Sequence, residues 1–289
     1  MMFQFGTYIT FMEYTMAAGA LDRAFAVLEL LASHPAGLPL REIAESADIP
    51  KSATHRLLAT LAARRYVRQD AETGRYLLTT RLVSLGFRYL ALAGVADTVQ
   101  PTLDRLAQET GELVRLGVVD GDHQTWVAKA QGARSGLRYD PDMGMDTPLA
   151  STASGHAWLA CLTDEQALEL VARQGFRPLP TQGPNAPRTI DALLARLRAA
   201  RKRGYAWVVE SSAPGMSAMA AAVRHPVTGG VVGVVSVAGP SVRLTEARMH
   251  ELAPVMLAAA AELSDACKSS EYFTAASRST ARRRATPGE

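Results

Sequence analysis

The chain has 289 residues, 48 % of them hydrophobic, so it can build one long domain or two ordinary ones around real cores. Its formal net charge is +3, and its two cysteines, Cys161 and Cys267, exclude a disulfide framework and suit a reducing cytoplasm. No apolar run reaches the roughly 18 to 20 residues of a membrane span, so no membrane partner is expected.

Residues 1–18 carry Glu13 and no basic leader, so they do not read as a signal peptide. They read as an N-terminal extension outside the fold, with Met16 a natural first residue. Residues 20–32 predict an amphipathic helix with Leu21, Ala24, Leu28 and Leu31 on one stripe. His34-Pro35-Ala36-Gly37 ends it.

Residues 40–79 read as helix, short turn, helix and a two-stranded wing. Leu40, Ile43 and Ala44 sit at helical spacing. Ala47-Asp48-Ile49-Pro50 breaks that helix, and Pro50 is expected to open the next, where a missing N–H costs nothing. Leu57, Leu58, Leu61 and Ala62 should face inward. Lys51, Ser52, Thr54, His55 and Arg56 crowd the first turns and are expected to face outward. A second helix with polar and basic residues in its first turns is the kind that enters a DNA major groove. Residues 66–68 and 75–78, around a turn at Glu72-Thr73-Gly74, should form the wing hairpin.

Charge favours this over a structural helix-turn-helix. Between residues 50 and 90 stand Lys51, Arg56, Arg64, Arg65, Arg68, Arg75, Arg81 and Arg88, against only Asp70 and Glu72. The basic excess gathers where phosphates would lie. Double-stranded DNA is therefore the expected partner.

Residues 80–93 are helical again and lead through Gly94 into a helix ending near Thr110. The domain boundary is expected near residue 94. Strands follow over 113–119 and 124–130, then a loop over 132–148 rich in Gly, Asp and Met. Short helices are expected over 152–161 and 164–173. Four prolines mark a loop over 175–188. A helix capped by Thr189 runs to Arg203, and strands follow over 205–210 and 216–224 and along V-V-G-V-V-S-V-A-G. A last helix from Thr245 reaches about Cys267. This is an α+β domain with a central sheet flanked by helices. The end of the chain is small, polar and basic, with Arg282, Arg283 and Arg284, and reads as a disordered tail.

No catalytic constellation emerges. Ser154-Gly155-His156 lacks a nucleophile-elbow context. The six histidines show no metal-ligand spacing, and there is no P-loop or dinucleotide fingerprint. Neither an enzyme nor a cofactor is expected.

Several runs in fixed order carry a resemblance. They are L-D-R-A-F-A-V-L-E-L-L, I-P-K-S-A-T-H-R-L-L-A-T-L, T-P-L-A-S-T-A-S-G-H-A-W-L-A, R-G-Y-A, G-M-S-A-M-A-A-A-V and G-V-V-S-V-A-G-P-S-V-R-L-T. Over residues 20 to about 267 the chain resembles the IclR family of bacterial transcriptional regulators. The resemblance implies an α+β architecture: an N-terminal winged helix-turn-helix over 19–80, a helical linker over 81–94, and a C-terminal GAF-like effector-binding domain over 95–267. Residues 268–289 fall outside it. It also implies homodimers, often paired into tetramers, and a two-fold protein is expected to bind a palindromic or pseudo-palindromic operator.

The resemblance places DNA contacts on Lys51, Ser52, Thr54, His55 and Arg56, with Arg75 on the wing. Arg56 is suited to guanine and Lys51 and Ser52 to phosphate. It places the effector pocket at Tyr139, Ala153, Ser154, Val208, Ala218 and Ser236. Members that bind small oxo-acids often carry Asp where Val208 stands, Cys where Ala218 stands and Ser where Ala238 stands. With those handles gone, and with Tyr139, Met143 and Met145 available as walls, an aromatic or other hydrophobic carboxylate is the expected effector. Donors at the start of the 152–161 helix are expected to hold its anionic group. The alternative is a winged-helix regulator without a small effector, constitutive or controlled by a protein partner.

Overall fold

The computed structural model describes residues 19–92, 95–139, 144–176 and 180–269. The N-terminal extension, Gly94, Met143 and the tail with Arg282, Arg283 and Arg284 lie outside the described residues. Two compact units are present, one up to Tyr89 and one from Leu90.

The first unit holds α1 (Ala20–Ala32), α2 (Leu40–Ser46), α3 (Lys51–Ala63), β1 (Val67–Gln69), β2 (Tyr76–Leu78) and the start of α4 (Arg81–Leu92). Its core gathers Val27, Leu31, Ile43, Leu58, Leu61, Val67 and Tyr76. The stripe expected on α1 needs correction, because Leu21 is exposed and Val27 and Leu31 make the buried face. Apolar residues lie on more than one side of α1, so spacing alone does not choose the inner one. Pro50 is the residue before α3 rather than its first, with φ −53° and ψ 136°. Its carbonyl still accepts the N–H groups of Ala53 and Thr54, both at 2.9 Å.

The β1–β2 wing is antiparallel, with Val67 opposite Leu78 and Gln69 opposite Tyr76. Leu38 and Tyr76 exchange backbone bonds of 3.0 and 2.8 Å, which ties the wing to the α1–α2 connection. Asp70 organises the tip: its Oδ1 accepts from the Thr73 N–H at 2.9 Å and the Thr73 hydroxyl at 2.8 Å. Those bonds hold the Asp70 carboxyl below the usual range.

The second unit contains α5 (Val95–Thr110), β3 (Leu113–Asp120), β4 (His123–Gln131), α6 (Ala153–Leu159), α7 (Asp164–Gln174), α8 (Ile190–Arg203), β5 (Ala206–Val209), β6 (Met216–Arg224), β7 (Val231–Pro240) and α9 (Glu246–Ala266). One antiparallel sheet runs in the order β4-β3-β7-β6-β5. Helices cover both faces. Val114, Leu116, Met219, Val235 and Val237 pack with α5 and α9. Val119, Val208, Ala220 and Val234 pack with α6, α7 and α8. β7 lies mid-sheet and is buried along its whole length, which is why it is almost entirely apolar.

The β3–β4 pair carries a bulge: Leu116 faces Ala128, but Gly117 faces Trp126, so Val127 is the extra residue. Gln124 and Trp126 on one side of it, and Ala128 and Ala130 on the other, thereby change sheet face.

Candidate functional site

On α3 the buried positions are Thr54, Leu58 and Leu61. Lys51, Ser52, His55 and Arg56 are exposed on the opposite side. Four of the five residues expected to face outward on this helix therefore share a surface. Thr54 does not. It is fully buried, and its hydroxyl donates to the carbonyls of Ile49 at 3.3 Å and Pro50 at 3.2 Å. A short polar side chain that back-bonds into the preceding turn secures the turn–helix junction. It leaves Thr54 no path to a DNA base.

Arg75 is half-buried, and its Nη1 donates to the Gly37 carbonyl at 2.8 Å. The wing arginine thus braces the first unit internally. Arg68 on β1 keeps an exposed guanidinium, 3.6 Å from Asp70. Arg64 and Arg65 extend the exposed basic surface beyond the end of α3.

In the second unit, α6 packs on the alanine side of β6. Ala218, Ala220 and Ala222 project to that face, and Met219, Ala221 and Val223 to the other. Small side chains let the helix approach closely. Gly155 on α6 lets the preceding segment pass close, since a Cβ there would stand 2.3 Å from the Leu149 carbonyl oxygen. Ala153 and Val208 belong to one apolar cluster, with Ala218 against it. Val208 and Ala218 are direct cross-strand partners, as are Ala220 and Ser236. Ser154 is buried on α6. The structure therefore gathers Ala153, Val208 and Ala218, with Ser236 on the same sheet face.

Tyr139 approaches this group through Arg115, with its ring centre 5.9 Å from the Arg115 guanidinium. Arg115 is the cross-strand partner of Ser236, and its carbonyl accepts from the Ser236 hydroxyl at 3.4 Å. Arg115 stands inside an otherwise apolar strand, and strand periodicity alone gave it no role.

The start of α6 differs from expectation. The helix has only seven residues, and its Gly155 N–H is already capped by the Thr152 hydroxyl at 2.9 Å. His156 is buried, with Nε2 bonded to the Ala150 carbonyl at 2.8 Å. Burial pushes its imidazole down to about 4, only partly offset by that carbonyl. The imidazole is turned to backbone and is not placed to serve Ser154 as a base.

A pH dependence follows. Below the ordinary histidine value near 6.5, the unfolded chain takes up a proton that folded His156 refuses. Stability should fall with pH until about 4, where the folded form is protonated too. Between pH 7 and pH 5 the loss due to this group should be about 2 kcal/mol. Urea unfolding at both pH values, on the native protein and on His156→Gln, measures it. An identical pH loss in both proteins would remove His156 as the cause.

A winged helix with basic groups exposed on its second helix, followed by a helix-covered sheet unit, defines a two-unit DNA-binding regulator. Residues 20–71 match the IclR helix-turn-helix domain, and residues 87–265 match the C-terminal domain of bacterial transcriptional regulators of the IclR type. The chain belongs to the IclR family of bacterial transcriptional regulators. It is 30 % identical over 249 residues to the transcriptional repressor IclR of Escherichia coli, covering 84 % of this chain and 88 % of that one. It is 32 % identical over 248 residues to the HTH-type transcriptional regulator BhcR of Paracoccus denitrificans, covering 85 % and 86 %. Among solved structures it is similar to an IclR-type regulator from Alicyclobacillus acidocaldarius, with TM-score 0.74, 24 % identity, and 87 % and 99 % of the two chains covered. It is also similar to an IclR homologue from Microbacterium hydrocarbonoxydans complexed with 4-hydroxybenzoate, with TM-score 0.69, 20 % identity, and 87 % and 100 % covered.

Proposed function

We propose that the protein is a cytoplasmic repressor that binds a palindromic operator as a dimer or tetramer and responds to a small hydrophobic carboxylate, best an aromatic acid. The DNA-binding domain spans 19–80, the linker 81–94 and the effector domain 95–267. The observation that carries the DNA half is the exposed quartet Lys51, Ser52, His55 and Arg56, backed by a buried face on the same helix. Repression is supported by relatives named as repressors. The effector half is supported by Ala153, Val208 and Ala218 around one apolar cluster. The 4-hydroxybenzoate complex of a protein of the same fold agrees with it. No cofactor, catalytic step or membrane enters this reading.

Selection from a randomised duplex pool tests it. One recognition helix reads only a few base pairs, so a two-fold protein should return a two-fold symmetric site. Recovery of single half-sites bound as tightly as whole sites would overturn the dimeric reading.

The selected site then separates the contacts. Arg56→Ala should lose about 1 to 3 kcal/mol of discrimination if its fork reads a base. Lys51→Ala should weaken all sequences alike and reduce the salt slope by about one. Titration on specific and random duplexes, at several salt concentrations, measures both. Equal losses on both duplexes for Arg56→Ala would make it a phosphate contact.

A further inference from the structure

Among the described residues of the second unit, four of the buried polar side chains that have atoms without hydrogen-bond partners fall between residues 124 and 151. Gln124 is completely buried, and neither atom of its amide is bonded. The same holds for Trp126 Nε1, the Thr147 hydroxyl and the Ser151 hydroxyl. Buried polar groups nearly always find partners, and leaving one unmade is costly. A run of them along one stretch of chain points to a polar occupant.

These residues are connected. The Thr147 N–H donates to the Gln124 carbonyl at 2.7 Å. The Gln124 side chain lies over Gly117, where a Cβ would stand 2.9 Å from its Nε2. Only glycine leaves that space open. Trp126 is the cross-strand partner of Gly117. The guanidinium of Arg115, itself buried, lies 3.7 Å from the centre of the Trp126 ring. Ser151 follows Thr147 on the segment leading into α6.

We infer that Arg115, held against Trp126, binds the carboxylate of the effector, and that Gln124, Thr147 and Ser151 take a second polar group on the same molecule. This rests on the reading that the second unit binds an organic acid. The donor set chooses the chemistry. A guanidinium donates only and carries a positive charge, so an anionic acceptor such as a carboxylate complements it best. The planar fork of arginine matches a carboxylate bidentately, and packing against an aromatic ring restricts its orientation. A Gln amide and two hydroxyls both donate and accept, which suits a ligand hydroxyl. The ligand is thus a planar acid carrying a hydroxyl, and its charge is recognised on β3 rather than at the short, already capped start of α6.

Calorimetric titration of the full-length protein with 4-hydroxybenzoate, benzoate and 4-hydroxybenzamide tests this. The hydroxy acid should bind best. Loss of the hydroxyl should cost about tenfold and loss of the carboxylate about a hundredfold. Arg115→Gln should bring the acid-to-amide ratio close to one. Gln124→Met should erase the preference for the hydroxyl while sparing the preference for the acid. Unfolding melts of the unliganded variants check that each is folded, and Arg115→Lys, which keeps the charge and loses the fork, supplies a milder version. In a Trp158→Phe, Trp207→Phe background, acid binding should also change the emission of Trp126. If 4-hydroxybenzoate binds the native and Arg115→Gln proteins equally, or acid and amide bind the native protein equally, this assignment fails while the acid-responsive reading stands. If neither acid binds the native protein, both fail.

Discussion

Phe87→Glu should turn the protein into monomers and lower its affinity for a complete operator by about a thousandfold. Phe87 on α4 is 68 % exposed, and Val83, one turn before it, is 53 % exposed. On α1, Leu21 and Phe25 are similarly spaced and are 67 % and 55 % exposed. Residues four apart share a helix face. Each helix therefore presents an apolar stripe that the described residues of this unit leave uncovered, and surfaces of that kind mark association sites. Two winged helices tied together bind the second half-site as an intramolecular event, which typically multiplies affinity by about 10² to 10⁴. A glutamate in such a contact would be buried without a partner and should dissociate it. Sedimentation and band-shift titration on whole and half operators measure the two effects together. A Phe87→Glu protein that remains dimeric and binds the whole operator normally would place the subunit contact elsewhere.

Ala153→Leu should abolish the response to acid while leaving effector-free operator binding intact. Ala153 is buried in the cluster that includes Val208, Ala220 and Val234. A leucine there adds three carbons to the space between α6 and the sheet. Overpacking of this kind costs about 1 to 3 kcal/mol in stability, which an otherwise sound domain tolerates. A ligand shifts an equilibrium only through different affinities for the two states, so filling its site removes the shift and not the DNA contacts. Operator band shifts with and without 4-hydroxybenzoate measure this, with Ala153→Ser as the near-isosteric control. An Ala153→Leu protein that still responds would move the effector away from α6.

The winged helix was legible because its signals are local. Pro50, the leucines at 57, 58 and 61, and the Glu72-Thr73-Gly74 turn each act within a few residues of chain. The helices and strands of the second unit were legible for the same reason, down to the cap at Thr189 and the start of the last helix at Thr245. Three things were not. Thr54 looks like a recognition residue because it is polar and sits beside recognition residues. Its burial depends on where α3 meets the preceding turn. Leu21 and Val27 are both apolar, and only contact with β2, α2 and α3 decides which side of α1 is inside. The cluster around Arg115 and Gln124 depends on strand register, with Gly117 opposite Trp126, and no spacing along the chain reports a partner across a hairpin.

The bulge at Val127 has an evolutionary consequence. It adds one residue to β4, and the sides on which Gln124 and Trp126 emerge depend on that addition. Deleting one codon there would restore simple alternation and exchange the faces of the residues on one side of the bulge, with no amino acid substituted. On the effector assignment proposed above, a change of length there would alter effector recognition without any substitution. Homologues aligned through β4 without regard to that residue would have their specificity positions compared one place out of step.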